Sequence, residues 1–368
     1  MISKVPFVAP SRVYQNLKKE LDSAYLEVMS KGDLIDRKQL KSFESNLADF
    51  VGTKYAVGVN SGYDALHLSL RALNIKQGDE VIVPAHTFVA TCSAVVNVGA
   101  TPVLVDVTKD FNIDIAKIEE VVTERTRAII PVHLSGWMAD MPEIMKLAQR
   151  FNLGIVEDAC QSLGSSINGI KAGAWGNTGC FSFYPFKILG GYGDGGAITT
   201  NDESIAVFAR RMRYNGEDRD TGEYHGHGFT CLLDNLQAAF LDVKLHHLPE
   251  SIVRRKFIAG LYYEAFKDIP DLLLPHYNRD GSDHVYQNYT LRSKQGDEFS
   301  DYLREKGIEV LTQFRKPYYK HKELKLDDRG FSETEALSRE VCSLPMSFEL
   351  TDEEITYIIK SVRLFYNK

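Results

Sequence analysis

The sequence predicts an α/β protein: a mostly parallel sheet covered by helices on both faces, followed by a smaller α+β domain. From about residue 55 to residue 157, short continuous apolar runs alternate with stretches of helical periodicity. That is the pattern of strands buried on both faces by crossover helices. After Leu248-Pro249 the texture changes to one long helix and then to less regular sequence. The chain of 368 residues has the length for about two domains, and this change divides it into 1–248, a large domain with a helical entry, and 249–368, a small one.

Taken in order, residues 12–30 carry Val13, Leu17, Leu21 and Val28 at near-helical spacing, and residues 39–51 carry Leu40, Phe43, Leu47 and Phe50 on one face. Both read as amphipathic helices. Residues 55–59 are a buried strand, broken by Asn60-Ser61-Gly62 before helical periodicity resumes at Asp64. Further strands are expected at 80–84, 102–107, 128–132 and 154–157, with helices at 88–98, 113–123 and 141–151 between them. Residues 180–201, CFSFYPFKILGGYGDGGAITTN, hold a β-like run, Lys187, five glycines within seven residues and a second β-like run. A long helix at 251–267 opens the small domain.

Composition narrows the function. Hydrophobic residues are 44% and charged residues 25%, ordinary for a globular protein. A net charge of −7 offers no basic surface for nucleic acid or an anionic membrane. No apolar run approaches the roughly 18 residues of a membrane span, and the first residues lack a signal pattern. The five cysteines are far apart with no CxxC, so neither a structural metal nor a disulfide framework is expected, and reduced thiols in a cytoplasmic protein are.

In open α/β sheets, ligands bind beyond the carboxyl ends of strands. The first strand ends in Asn60-Ser61-Gly62-Tyr63 ahead of a helix, where the N–H groups of Gly62 and Tyr63 make a phosphate cup; the same motif serves equally as a plain serine N-cap. Phe88, after the second strand, can lie on a planar ligand or sit in the core. Glu157 and Asp158 close the fifth strand on opposite faces. A carboxylate buried there needs a partner, such as a protonated ring nitrogen, a salt bridge or a helix cap. His86 and His133 also end strands and read as packed histidines. Gly191-x-Gly193-x-x-Gly196 matches a dinucleotide fingerprint, but a strand-like Ala197-Ile-Thr-Thr200 follows where that fingerprint needs a helix. Nor is Lys187 placed as in a P-loop. What survives is a lysine amine poised as a nucleophile toward an aldehyde cofactor, with Ser182 and the Gly62 helix end for a phosphate and Asp158 for a ring nitrogen.

At this point the chain resembles the DegT/StrS-type sugar aminotransferases, pyridoxal 5′-phosphate (PLP) enzymes of the fold-type I superfamily. The resemblance rests on FESNLADFVGTKYAVGVNSGYDALHLSL, GDEVIVPAHTFVATCSAVVNVGATPVLVDV, PVHLSG, VEDACQSLGS, GCFSFYPFKILGGYGDGGAI, LDNLQAAFL and SLPMSFELTDEEI, and spans nearly the whole length. It implies a seven-stranded sheet and a homodimer with shared active sites. Lys187 is implied as the Schiff-base lysine and proton shuttle, and Asp158 as the partner of the pyridine nitrogen. Gln161 falls near the ring hydroxyl, Ser182 with the Gly62 and Tyr63 backbone on the phosphate, and Phe88 on the ring. A related branch that removes a hydroxyl has histidine at the lysine position, so Lys187 implies transamination. The donor would be glutamate and the acceptor a keto-sugar nucleotide, with FYPxKxLGxYGDGGA most similar to members acting at C3.

Departures from the family pattern mark the substrate side. Thr230 replaces the family asparagine that reaches the partner subunit's cofactor phosphate, and Leu232 replaces an arginine. Gln313-Phe-Arg315-Lys316 stands where relatives carry His-Tyr-Pro. Tyr184, Gln313, Arg315 and Lys316 are candidates for substrate contact; Arg315 and Lys316 read equally as a solvated basic pair. The polar run 215–227 reads as a surface loop.

Overall fold

The computed structural model describes residues 4–275 and 281–367. Its centre is a seven-stranded sheet made of β1 (Tyr55–Val59), β2 (Glu80–Pro84), β3 (Thr101–Val105), β4 (Thr126–Ile129), β5 (Gly154–Asp158), β8 (Thr178–Ser182) and β9 (Gly196–Thr200). The spatial order is β1-β9-β8-β5-β4-β2-β3. Neighbours from β8 through β5, β4 and β2 to β3 pair parallel, while β9 is antiparallel to both β8 and β1. The exception has a local cause. Every parallel step needs a crossover, usually a helix, whereas β8 and β9 are joined by residues 183–195 without one, and so they turn back on each other. A small edge sheet combines β6 (Ser166–Ile167), β7 (Ile170–Lys171) and β11 (Ser282–Asp283).

The strands read as apolar runs because both sheet faces are buried. Ile82, Ile129, Ile155 and Phe181 face one layer, which contains α2 (Lys38–Val51), α6 (Met141–Phe151) and α8 (Asn235–His246). Val81, Val83, Ala128, Val156, Cys180 and Ile198 face the other, under α3 (Gly62–Ala72), α4 (Val89–Asn97) and α7 (Glu203–Met212). Short α5 (Ile115–Val121) follows β3, and α1 (Pro10–Lys31) packs on α8. Short polar side chains start four of these helices. Ser61, Asp114, Asp140 and Asp202 each accept a first-turn N–H, of α3, α5, α6 and α7 respectively.

The second layer system contains β10 (Leu272–Leu273), β12 (Tyr289–Ser293) and β13 (Val341–Leu344) as an antiparallel sheet, with α10 (Gly296–Glu305), α11 (Ser332–Glu340) and α12 (Asp352–Phe365). The long helix α9 (Leu248–Phe266) belongs to both cores. Leu248 and Ile252 pack with the large sheet; Ile258, Ala259, Tyr262 and Phe266 pack with the small one. The segment ahead of α1 also joins the small core: Val5 bridges Ile308, and the Phe7 N–H donates to Glu309 Oε2 at 3.0 Å. Between the two layer systems, Asp106 at the end of β3 caps α11. Its carboxylate accepts the N–H groups of Glu333 and Thr334 at 3.0 and 2.9 Å and the Thr334 hydroxyl at 2.8 Å.

Candidate active site

The two carboxylates that end β5 have separate tasks, as the strand period requires. Glu157 is fully buried and accepts hydrogen bonds from the Gly173, Trp175 and Gly176 N–H groups at 2.9, 2.8 and 2.8 Å. It also meets His133 Nε2 at 3.1 Å. Since His133 Nδ1 accepts the Ala139 N–H at 3.2 Å, Nε2 carries the proton and donates to Glu157. This half of the pair, with His133, is scaffold.

Asp158 faces the ligand side and is 6% exposed. Its Oδ2 accepts the Thr91 hydroxyl at 2.8 Å, and its Oδ1 the Cys160 N–H at 3.3 Å. Thr91 Oγ1 lies 2.9 Å from Thr87 Oγ1, so a hydroxyl pair one helical turn apart at the start of α4 sets the carboxylate's orientation. A carboxylate has about four lone-pair sites. Two are taken here, leaving room to accept from a protonated ring nitrogen.

Ser182 ends β8, the strand paired with β5. Opposite it is the N-terminus of α3. A Cβ added at Gly62 would lie 2.7 Å from Cys160 Sγ and 2.9 Å from Ser182 Cβ, so only glycine lets this helix end come so close. None of the five glycines between 190 and 196 has a positive φ. They serve close approach, not left-handed turns: at Gly196 a Cβ would strike the Ser61 carbonyl. The loop thereby presses the start of β9 against the phosphate cup. Tyr63 follows Gly62, its hydroxyl accepting from Asn97 Nδ2 at 2.7 Å.

Lys187 sits in this loop, its N–H donating to the Tyr184 carbonyl at 2.8 Å. Burial pushes its ammonium pKa down, against the opposing pull of Cys160 and Asp158. The neutral, nucleophilic amine is thus favoured at a lower pH than for a free lysine. Gln161 uses Oε1 to accept the Ser135 N–H at 2.8 Å, which points its amide nitrogen the other way. Phe88, directly before α4, is 59% exposed and keeps an open aromatic face. Tyr184, at 48% exposed, and Phe186 form an edge-on pair beside Lys187.

The structure brings Lys187, Asp158, Ser182 and Gly62 together around Cys160, while Tyr63, Phe88 and Gln161 each follow a strand end of the same sheet. The other candidates have partners of their own. Thr230 is exposed and donates to Asn215 Oδ1 at 3.0 Å, at the base of the turned-back polar run where Glu217 bridges Tyr224. Arg315 is held by Asp297 at 3.1 Å, by Ser300 Oγ at 3.2 Å and by the Arg339 carbonyl, so it ties α10 to α11. Lys316 is exposed and Gln313 half-buried. Between them Phe314 packs edge-on against His86, which burial keeps neutral with a pKa of about 4. Thr91 and Thr87 escaped the sequence reading, although their i, i+4 spacing just past a strand end was a usable signal. No cluster of metal-ligating side chains occurs among the described residues.

Residues 15–363 match the DegT/DnrJ/EryC1/StrS aminotransferase family. The chain belongs to that family. It is 38% identical over 364 residues to a dTDP-3-amino-3,4,6-trideoxy-alpha-D-glucose transaminase of Streptomyces venezuelae, covering 98% of this chain and 96% of that one. It is 37% identical over 367 residues to a pleiotropic regulatory protein of Geobacillus stearothermophilus, covering 98% of each. The crystal structure of S. venezuelae DesV in complex with a ketimine intermediate superimposes with a TM-score of 0.96 at 37% identity, over the full length of both chains. The α/β expectation and the aminotransferase resemblance are both met. PLP is the cofactor of these aminotransferases, and the cradle at Gly62, the spare acceptor sites of Asp158 and the open face of Phe88 fit it.

Proposed function

We propose that the chain moves the amino group of L-glutamate to the carbonyl of a nucleotide-linked keto sugar, at C3, as a cytoplasmic homodimer. The observation that carries this is a lysine amine, depressed in pKa, sharing one site with Asp158 and the Gly62–Ser182 cradle. The transaminase name of the S. venezuelae relative supports the sugar nucleotide. Exposed Phe88, Tyr184 and Phe186 around the site, with Thr230 turned outward, support a partner subunit over it.

PLP, when bound, supplies an aldehyde that exchanges amino groups and a ring that accepts electron density. Asp158 holds a proton at the ring nitrogen, and Ser182 Oγ with the Gly62 and Tyr63 N–H groups holds the phosphate. Phe88 would cover one face of the ring, and the Gln161 amide nitrogen would donate to its hydroxyl. Lys187 Nζ takes the α-proton of the donor and returns one to the new amino sugar. Electrostatic stabilisation of the charge that develops when that proton leaves supplies most of the acceleration, through Asp158.

Wild-type protein incubated with PLP should show visible absorbance and a borohydride-trapped adduct, and glutamate should convert that absorbance. Lys187→Ala should lose the adduct and turnover; survival of either would sink the assignment. A regulatory PLP-binding reading is favoured by the name of the Geobacillus relative and by the Thr230 and Leu232 replacements. No conversion by glutamate would select it. A panel of keto-sugar nucleotides, with free keto sugars and cyclitols beside them, tests the acceptor.

A further inference from the structure

Lys187 lies in a loop with neither helix nor strand, between β8 and β9, where its own segment gives it a single turn bond, from its N–H to the Tyr184 carbonyl. A further restraint comes from the segment leading into β12. Gln287, 7% exposed, accepts the Ile188 N–H on Oε1 at 2.6 Å and donates Nε2 to the Phe186 carbonyl at 2.9 Å. The amide's orientation is unambiguous, because one partner can only donate and the other only accept. One side chain thus fixes the peptide groups on both sides of Lys187.

The base of Gln287 is fixed in turn. Buried Arg255 of α9 donates Nη1 to the Tyr286 and Gln287 carbonyls at 3.0 and 3.3 Å. On the other side, Gly136 (φ 90°) comes so close that a Cβ there would lie 2.9 Å from the Gln287 nitrogen. That contact joins the turn Leu134–Gly136, beyond β4, to the segment leading into β12. We propose that Gln287 is a positioning residue for Lys187, aiming its amine at the cofactor and setting the pH at which the bound cofactor titrates. The inference rests on the Schiff-base role proposed for Lys187. A misplacement of about 1 Å at a reacting group can cost on the order of a hundredfold in rate, so the two bonds bear on chemistry more than on folding.

The test uses the full chain. Gln287→Leu removes both bonds at similar volume. Gln287→Glu keeps the acceptor for Ile188 and sets a carboxylate oxygen against the Phe186 carbonyl. Tyr262→Phe, which removes a hydroxyl bond to the Pro345 carbonyl at 3.0 Å in the small core, controls for simple destabilisation. The measurements are the rate at which apoprotein captures PLP as a borohydride-reducible adduct, the pH midpoint of the bound cofactor's visible absorbance, and the thermal midpoint. Gln287→Leu should capture PLP about tenfold more slowly or worse with a displaced pH midpoint, while melting within about 4 °C of wild type. Gln287→Glu should fall between, and it carries the test should the leucine variant not fold. Capture rate and pH midpoint equal to wild type in the folded variants would overturn the proposal, as would equal slowing in Tyr262→Phe. No adduct in wild type would overturn the role of Lys187 itself, which keeps the two failures apart.

Discussion

At the scale of single residues, neighbouring carboxylates on one strand have opposite consequences. Asp158→Asn preserves shape and removes the charge that holds a ring proton. Turnover should fall at least about a hundredfold with the thermal midpoint nearly unchanged, and near-normal turnover would reject its role. Glu157→Ala leaves three backbone donors and the His133 N–H without a partner in a dry interior. It should cost at least about 3 kcal/mol in a denaturant titration. The opposite facing of the pair was legible in the sequence because strand periodicity is local. Thr91 was not, since its contact with Asp158 spans 67 residues and depends on β2 and β5 lying in one sheet. Gln287 was beyond reach for the same reason, its bonds to the lysine loop spanning about 100 residues.

At the scale of elements, strands were read well because burial on both faces leaves continuous apolar runs. The reversed direction of β9 was not read, since direction depends on what joins two strands. Helix ends were read where the cap lies in the adjoining sequence, as at Ser61. The start of α11 shows the limit. Phe331 provides no side-chain cap there, and the cap comes from Asp106, beyond β3 of the large sheet. Burial alone would raise the Asp106 carboxyl pKa, but the Thr334 and Glu333 hydrogen bonds outweigh it and hold it below the usual range. A carboxyl depressed on folding contributes stability that is whole above its unfolded pKa and lost as pH falls through the folded one. Asp106→Ala should therefore cost roughly 1–3 kcal/mol at neutral pH, with the gap from wild type closing below about pH 4. A gap that stays constant with pH would refute this cap.

At the scale of the molecule, the sequence change at 248 marks the first residue of α9, a helix that packs in both cores. The place of the first residues was hidden, because nothing local to Val5 points to Ile308. Arg12 extends that attachment, its Nη1 and Nη2 donating to Glu354 at 2.8 and 2.7 Å, the same glutamate that closes the capping box of α12. Arg12 is partly exposed, so Arg12→Leu should cost only about 1 kcal/mol. Its signature is spatial: hydrogen exchange should quicken in α12 and leave β1–β5 unchanged, and uniform quickening would contradict it. The stitching between Phe7 and Glu309, 302 residues apart, also has a consequence in time. A ribosome adding roughly 5–20 residues per second releases the first partner tens of seconds before the second. The large sheet can close on itself during that wait, while the segment from Val5 to Phe7 stays unattached until residues 308–309 emerge. A nascent chain held for chaperones or proteases to sample would be cut first around residues 5–7.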